Sequence, residues 1–266
     1  MHKRHARFLP GGQDEFKQHI RRGAVLQGGF AAQYPAAADA CFPGTYDKGD
    51  NLMNQMMLDL TQGMGRSLLI FILTLIFSLP LGLLVSFGRM SKIAPLRWLV
   101  KIYISVMRGT PLMLQLMVVY FGPFFIFGIQ ISNDYRFYAV LIGFAINYAA
   151  YFAEIYRGGI ESMPAGQYEA AQILGYTKVQ TFMRIILPQV IKRILPSLAN
   201  EIITLVKDTS LAFAISYTEM FFEAKAWASK ESNMFPYLIA AVFYYIFNMA
   251  VAIILERIEK SQSYYK

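Results

Sequence analysis

The chain has 266 residues, of which 56% are hydrophobic and only 16% are charged, and its mean hydropathy is +0.38. An ordinary soluble domain is less apolar, so the composition indicates a membrane protein. The net charge of +8 does not indicate a nucleic-acid-binding protein, because part of it lies in the first fifty residues and the rest flanks apolar runs. The chain has one cysteine, and all of its histidines lie in the first nineteen residues. We therefore expect no disulfide, metal or cofactor.

The first part of the chain, residues 1–55, is basic and differs in composition from the rest. It lacks the continuous apolar core of a secretory signal, since Gln, Gly, Pro and Asp interrupt residues 24–40. We expect this extension to be disordered, or translation to begin later, at Met53, Met56 or Met57.

Apolar runs long enough to cross a bilayer recur along the remainder of the chain. A helix of about 20 apolar residues spans a hydrocarbon core of about 30 Å. The fold class that we predict is an all-α membrane protein with five transmembrane helices. The expected spans are residues 66–88, 97–127, 136–157, 194–217 and 235–257. The second run is longer than one straight span needs, and Arg108-Gly109-Thr110-Pro111 divides it, so its first part is either interfacial or a separate half-helix.

Lysine and arginine are unevenly distributed among the segments between these spans. They are frequent after spans one and three and in the tail after span five, and infrequent after spans two and four. Basic segments stay preferentially in the cytoplasm, which predicts an outside N-terminus and a C-terminus inside. The basic residues of the first 55 positions do not fit this pattern.

The segment at about residues 164–188, between spans three and four, predicts a helical hairpin. Residues 167–174 favour a short helix, and Gly175 is placed to end it. Residues 177–187 predict a second helix that Pro188 stops, which leaves the two helices at an angle. The small side chains of Ala170 and Ala171 allow another protein to approach the backbone closely.

Seven positions of this segment match the spacing E-A-A, three residues, G, nine residues, I-x-L-P. They are Glu169, Ala170, Ala171, Gly175, Ile185, Leu187 and Pro188. The pattern resembles the EAA loop of ABC importer permeases, through which such subunits contact their ATPase. Tyr168 shares a helix face with Ala171 and Gly175 and joins the candidate coupling residues. The alternative, an ordinary loop with a solvated Glu169, suits a lone E-A-A better than seven matches.

Three further stretches extend the resemblance over residues 60–262. They are Arg108-Gly109-Thr110-Pro111 followed by Gln115, Tyr151–Ile160 (YFAEIYRGGI), and Asn200-Glu201 with Lys207–Leu211 (KDTSL). The chain thus resembles a permease subunit of a polar amino acid ABC importer. The resemblance implies a bacterial cytoplasmic membrane location, a second permease subunit of like or unlike sequence, two ATPase subunits and an extracytoplasmic solute-binding protein. The first fifty residues depart from the family, which usually begins close to its first span.

The expected function is that of the transmembrane subunit of an ATP-driven importer for a polar amino acid or a related small polar solute. The sequence contains no G-x-x-x-x-G-K-[ST] phosphate loop, so ATP hydrolysis is expected in a separate subunit. We therefore expect this chain not to be an enzyme.

Polar residues inside the predicted spans are candidates for the solute path or its gate. They are Asn147, Tyr151, Glu154, Glu201, Lys207, Asp208 and Thr209. A charge in hydrocarbon is unfavourable, so each charged candidate needs a partner or a wet cavity.

The partners of three of these candidates can be anticipated from spacing. Glu154 is expected to form an ion pair with Arg157, one turn later. Glu201 is expected to face Lys192, Arg193 or another helix. Lys207 and Asp208 point about 100° apart on a helix, so one can line the cavity while the other bonds a neighbouring element.

Two other functional classes remain as alternatives. An ion-coupled secondary amino acid transporter would use the same buried charges but usually contains internal repeats, which are not recognisable in five spans. A membrane-embedded enzyme would need reactive groups at one depth, yet the spans lack His and Cys and their acidic residues lie at different levels. The identity of the amino acid stays open.

Overall fold

A computed structural model describes residues 49–261, of which those from Met53 onward belong to one compact unit. The α-helices are α1 (Gly49–Arg89), α2 (Ala94–Gly109), α3 (Leu112–Phe127), α4 (Tyr135–Glu161), α5 (Ala165–Ile173), α6 (Lys178–Thr181), α7 (Leu187–Asp208), α8 (Met220–Glu231) and α9 (Phe235–Ser261). Within this part of the chain no strand occurs, and the all-α prediction is confirmed. Residues 1–48 of the extension that we expect to be disordered or untranslated lie outside the described residues.

Three of the described helices, α1 from Leu52 onward, α4 and α9, are long and apolar enough to cross a bilayer. Helices α2 and α3 qualify together as a bent pair, with 111° between their axes. The predicted span 194–217 differs from the structure, because α7 already begins at Leu187 and is followed by a 3₁₀ segment, Thr209–Ile215. Charged residues interrupt α7, so the count of five spans stays a prediction.

Helix α1 is longer than the predicted span 66–88, because its first part packs against the protein rather than ending in a loop. Met56 and Leu60 are buried there. The indole N–H of Trp227 in α8 donates to Oδ2 of Asp59 at 3.0 Å. These contacts give the N-terminal part of α1 a protein environment beside α8.

Helix α4 occupies the centre of the hydrophobic core. Val140, Phe144, Tyr148 and Phe152 recur at four-residue spacing, share one face and are buried. They pack in one cluster with residues of α1, α3 and α7. A helix that is covered on several sides can carry polar groups into the bilayer, because neighbouring helices supply their partners.

The end of α4 packs against α7 through a glycine. A Cβ at Gly159 would lie 2.1 Å from Cγ2 of Ile194 and 3.2 Å from Cγ1 of Val190. The neighbouring Gly158 faces open space, with no atom within 4 Å of a built Cβ. Of these two glycines, only Gly159 is therefore needed for the close approach of α4 to α7.

We expect Gly159→Ala to lower the thermal stability of the purified chain, because an added methyl group forces Ile194 or α7 to move, at a cost of about 1–3 kcal/mol. Gly158→Ala is the matched control and should be neutral or stabilising by about 0.5–1 kcal/mol, because alanine favours helix. Thermal unfolding in one detergent compares the two. Equal stabilities would contradict this packing.

Candidate functional site

The predicted hairpin lies beyond the end of α4. Its first arm, α5, runs from Ala165 to Ile173, close to the predicted 167–174. Gly175 has φ of +77° and follows the helix as predicted, with its N–H donating to the carbonyl of Gln172 at 3.0 Å. The N–H of Tyr176 donates to the carbonyl of Ala171 at 3.0 Å, which closes the turn.

The second arm corrects the prediction that Pro188 ends a helix. The chain runs through α6 and a π-helical turn, Phe182–Ile186, directly into α7. The N–H of Leu187 donates to the carbonyl of Phe182, five residues earlier. This wider turn leaves room for the proline ring, which would otherwise clash with the carbonyl of the residue four before it. Pro188 thus lies in the first turn of α7.

The hairpin is anchored on one side and exposes apolar side chains on the other. Ala171 and Ile186 are buried against the protein. On the outer side, the exposed fractions are 85% for Ile173, 72% for Leu174, 73% for Val179 and 56% for Met183. We call these four residues the hairpin patch. Glu169 and Ala170 are also exposed, while Ile185 and Leu187 are half-buried.

The break between α2 and α3 is closed by two amide side chains. Nε2 of Gln115 donates to the carbonyl oxygens of Met107 at 3.0 Å and Thr110 at 3.1 Å. Nδ2 of Asn147 donates to the same Met107 oxygen at 3.1 Å and to Oε1 of Gln115 at 2.9 Å. Asn147, a candidate for the solute path, is therefore buried, and its amide nitrogen is hydrogen-bonded at the break between α2 and α3.

Glu154 forms the predicted ion pair with Arg157, with Nη2 and Oε2 2.7 Å apart. Two partners were not predicted: Arg89 at the end of α1 lies 3.6 Å from Oε1 of Glu154, and Arg157 also pairs with Glu161. The surplus of basic residues after span one was the available signal. This cluster joins α1 to α4 next to the hairpin.

Tyr151 and Glu201 lie near a further residue that was not predicted as a site residue, Arg108. The guanidinium carbon of Arg108 is 5.3 Å from the ring centroid of Tyr151, in cation–π geometry. Arg108 also interacts electrostatically with Glu201. Glu201 was expected to face Lys192, Arg193 or another helix, and Arg108 of α2 fits the last of these alternatives, while Arg193 donates to the carbonyl oxygen of Ser162 at 2.6 Å.

Of the two neighbouring charges on α7, one bonds a neighbouring helix, as expected, and the role of the other in lining a cavity stays a prediction. Oδ2 of Asp208 accepts a hydrogen bond from the Tyr148 hydroxyl at 2.7 Å, so Asp208 bonds the neighbouring α4. Lys207 is exposed. Thr209, which follows α7, is fully buried, and its hydroxyl donates to the carbonyl of Val206 at 2.8 Å.

Sequence reasoning missed Glu219, which is fully buried at the start of α8. Its Oε2 accepts hydrogen bonds from the Phe221 N–H at 2.7 Å and the Tyr244 hydroxyl at 3.0 Å, and Oε1 accepts one from the Phe222 N–H at 2.9 Å. Ser67 of α1 contributes a longer bond of 3.4 Å. The signal was an acidic residue placed to cap a short helix after span four.

These features together define a class: a helical membrane subunit with a broken span, charged residues satisfied between helices, and an anchored apolar hairpin outside the apolar spans. The family model described as "Binding-protein-dependent transport system inner membrane component" matches residues 78–264. The chain belongs to this family and is a multi-pass membrane protein.

Several curated relatives are similar in sequence. The chain is 42% identical to the probable amino-acid ABC transporter permease protein YckA of Bacillus subtilis, over 77% of this chain and 89% of YckA. It is 37% identical to the L-cystine transport system permease protein TcyB of the same organism, over 76% and 85% of the two chains. The resemblance to polar amino acid ABC permeases is thereby confirmed.

A solved structure gives the same result for the fold. The chain superposes on the crystal structure of an amino acid ABC transporter with histidines with a TM-score of 0.72, at 33% identity, covering 82% of this chain and all of that chain. An inward-facing structure of the MetNI methionine ABC transporter matches in fold alone, with a TM-score of 0.61 at 17% identity.

The buried Glu219 predicts a pH dependence of stability. Burial raises the pKa of its carboxyl from 4.5 to about 7, against the opposing effect of the N–H groups of Phe221 and Phe222. An acid with a higher pKa in the folded state binds protons more strongly when folded. Its contribution to stability is therefore complete below the unfolded pKa and is lost as the pH rises through the folded pKa.

We expect the melting temperature of the purified chain to fall between about pH 5 and about pH 8, and Glu219→Gln to remove that component because Gln does not titrate. The measurement is thermal unfolding across this range in one detergent. Parallel pH profiles of the two proteins would show that Glu219 does not titrate there.

Proposed function

We propose that the chain is the membrane subunit of an ATP-driven importer, which passes a polar amino acid or a related small polar solute from a binding protein into the cell. The proposal includes a transporter domain over residues 60–262 with five spans, an outside N-terminus and an inside C-terminus. The names of the relatives, which specify amino acids and L-cystine, support this solute class. A separate ATPase subunit hydrolyses the ATP.

The observation that carries the proposal is the hairpin patch, whose apolar side chains are exposed on a segment beyond the α4 span. Exposed apolar area is unfavourable in water by about 25 cal/mol per Å², and such patches mark contact sites. A groove of about 810 Å³ lies beside it, with Arg184, Pro188 and Arg193 in its lining. The hairpin therefore suits a partner with an apolar face bordered by acidic groups, the role proposed here for the ATPase.

Motion of the hairpin has a direct route to the membrane. Arg193 of α7 holds the carbonyl of Ser162 at the end of α4, and Gly159 packs tightly on α7. ATP-driven closure of the ATPase pair would then move α4 and α7 together, as in a rigid-body transition. These two helices carry Tyr151 and Glu201.

The proposed solute path is lined by those polar residues that form no hydrogen bond to a neighbouring helix within residues 49–261. They are Tyr151 and Glu201, together with Arg108 and the exposed Lys207. In this proposal Asn147, Glu154, Asp208 and Thr209 shape the path and its gate through the bonds described above. An amino acid carries both charges, so a path with guanidinium and carboxylate groups suits it.

Changes in the hairpin should abolish uptake without preventing membrane insertion. Glu169→Lys reverses an exposed charge at the proposed contact, and Gly175→Asp places a side chain at a turn with φ of +77°. We expect both variants to lose at least about tenfold in ATPase binding, equivalent to about 1.4 kcal/mol, and in ATP-driven uptake. Co-purification of the ATPase and uptake in vesicles measure the two effects.

Gly128→Asp is the matched control, because Gly128 also has positive φ, +66°, follows a helix and has open space around it. Gly128 lies after α3 and before the start of α4, whereas the hairpin follows the end of α4. The control variant should therefore keep ATPase binding. Normal uptake and ATPase binding in Glu169→Lys and Gly175→Asp would remove the coupling role.

The energy source separates the proposed function from its alternatives. We expect uptake into vesicles to require a co-expressed ATPase and internal ATP, and to continue when the proton gradient is dissipated. Uptake that needs a gradient and no ATPase would indicate a secondary transporter instead.

A further inference from the structure

A cavity lies where the end of α1 meets the start of α2. Its volume is about 520 Å³, and Arg89, Ala94, Pro95, Arg97, Trp98 and Lys101 line it. Three of these side chains are cationic. The volume falls in the range of small-molecule sites, about 300–1,000 Å³.

The positive charge of this cavity is only partly balanced within the described part of the chain. Arg89 lies 3.6 Å from Glu154. No ion pair joins Arg97 or Lys101 to another residue of the range 49–261, and both side chains are exposed. From residue 60 to residue 133 the sequence contains no Asp or Glu. The cavity therefore presents two cations that an external anion can pair with.

The depth of the cavity follows from the contacts of α2 along α4. Val100 and Ile104 of α2 pack on Ala153 and Ala150 of α4, and further along α2 the carbonyl of Met107 reaches Asn147. Helix α2 thus runs along α4 from the level of Ala153 toward Asn147. Its first turns, with Arg97 and Lys101, lie beside Arg89, the last residue of α1, which pairs with Glu154 about two turns before the end of α4. Near the ends of helices that cross a bilayer, side chains meet the lipid headgroups.

The outer surface of α2 is suited to acyl chains. Trp98 and Leu99 are 67% and 63% exposed, and Leu96 and Ile102 are exposed as well. A tryptophan at the membrane interface prefers the headgroup region, where its ring is amphipathic. Basic residues beside such a surface attract anionic lipids.

We propose that this cavity binds the phosphate headgroup of an anionic phospholipid, with Arg97 and Lys101 pairing with the phosphate and Trp98 and Leu99 contacting the acyl chains. The charge complementarity and the apolar surface next to it favour a lipid, because a soluble anion would use the cations alone. A lipid bound there would fix the start of α2, and with it the approach to the break at Arg108–Pro111.

Tryptophan fluorescence tests this site directly, because the chain has two tryptophans and only Trp98 lines the cavity. The full-length chain is reconstituted in phosphatidylcholine vesicles that contain the same mole fraction of either acyl-brominated phosphatidylglycerol or acyl-brominated phosphatidylcholine. Bromine quenches a nearby indole. The Trp98→Phe variant gives the background from Trp227, whose side chain is buried in the protein.

We expect brominated phosphatidylglycerol to quench Trp98 more than brominated phosphatidylcholine does. The double variant Arg97→Gln/Lys101→Gln should lower the relative association constant for phosphatidylglycerol about fivefold or more, given the usual contribution of a basic residue at a charged surface. The exchange Arg97→Lys/Lys101→Arg should retain the preference. Arg184→Gln/Arg257→Gln removes the same charge outside the cavity and should leave the preference unchanged.

Equal quenching by the two lipids would overturn the proposal, as would a preference that the control pair abolishes and the cavity pair does not. An emission change in plain phosphatidylcholine vesicles on addition of inorganic phosphate, matching that with phosphatidylglycerol, would assign the cavity to a free anion. The assay uses neither ATP nor solute, so its result is independent of the proposed transport function.

Discussion

Hydrocarbon offers no hydrogen-bond partners, so each charge and each freed peptide group that a helix carries into the bilayer must be satisfied within the protein. In this chain α4 meets that requirement for its neighbours. Asn147, with Gln115, bonds the carbonyl oxygens at the break between α2 and α3, and Tyr148 bonds Asp208 of α7. A broken helix pair and a charged helix can thus lie in the membrane because one central helix presents polar groups to both.

The hairpin beyond α4 follows the opposite rule. Its inner residues are buried, while the hairpin patch leaves apolar side chains uncovered by the rest of the chain. Such a surface is stable when another protein covers it. The hairpin is continuous with α7, the helix that carries Glu201, through the π-helical turn.

Features that depend on neighbouring positions in one helix were predicted from the sequence. The short helix ended by Gly175 and the Glu154–Arg157 ion pair are both set by spacings of three or four residues, and both were found. Pro188 was misjudged, because the rule that proline ends a helix ignores a π-helical turn that accommodates its ring. Ile186 and Val190, on either side of Pro188, pack in one buried cluster with Met163.

The sequence by itself determined that the chain is a helical membrane protein with an EAA hairpin, because apolar run length and the seven matched positions are local properties. Tertiary structure decided which of the intramembrane polar residues are hydrogen-bonded to other helices. Asn147 and Asp208 have the same intramembrane placement in the sequence as Tyr151, yet their partners lie on other helices and occupy their polar groups. Such pairing depends on which helices become neighbours, which no single segment encodes.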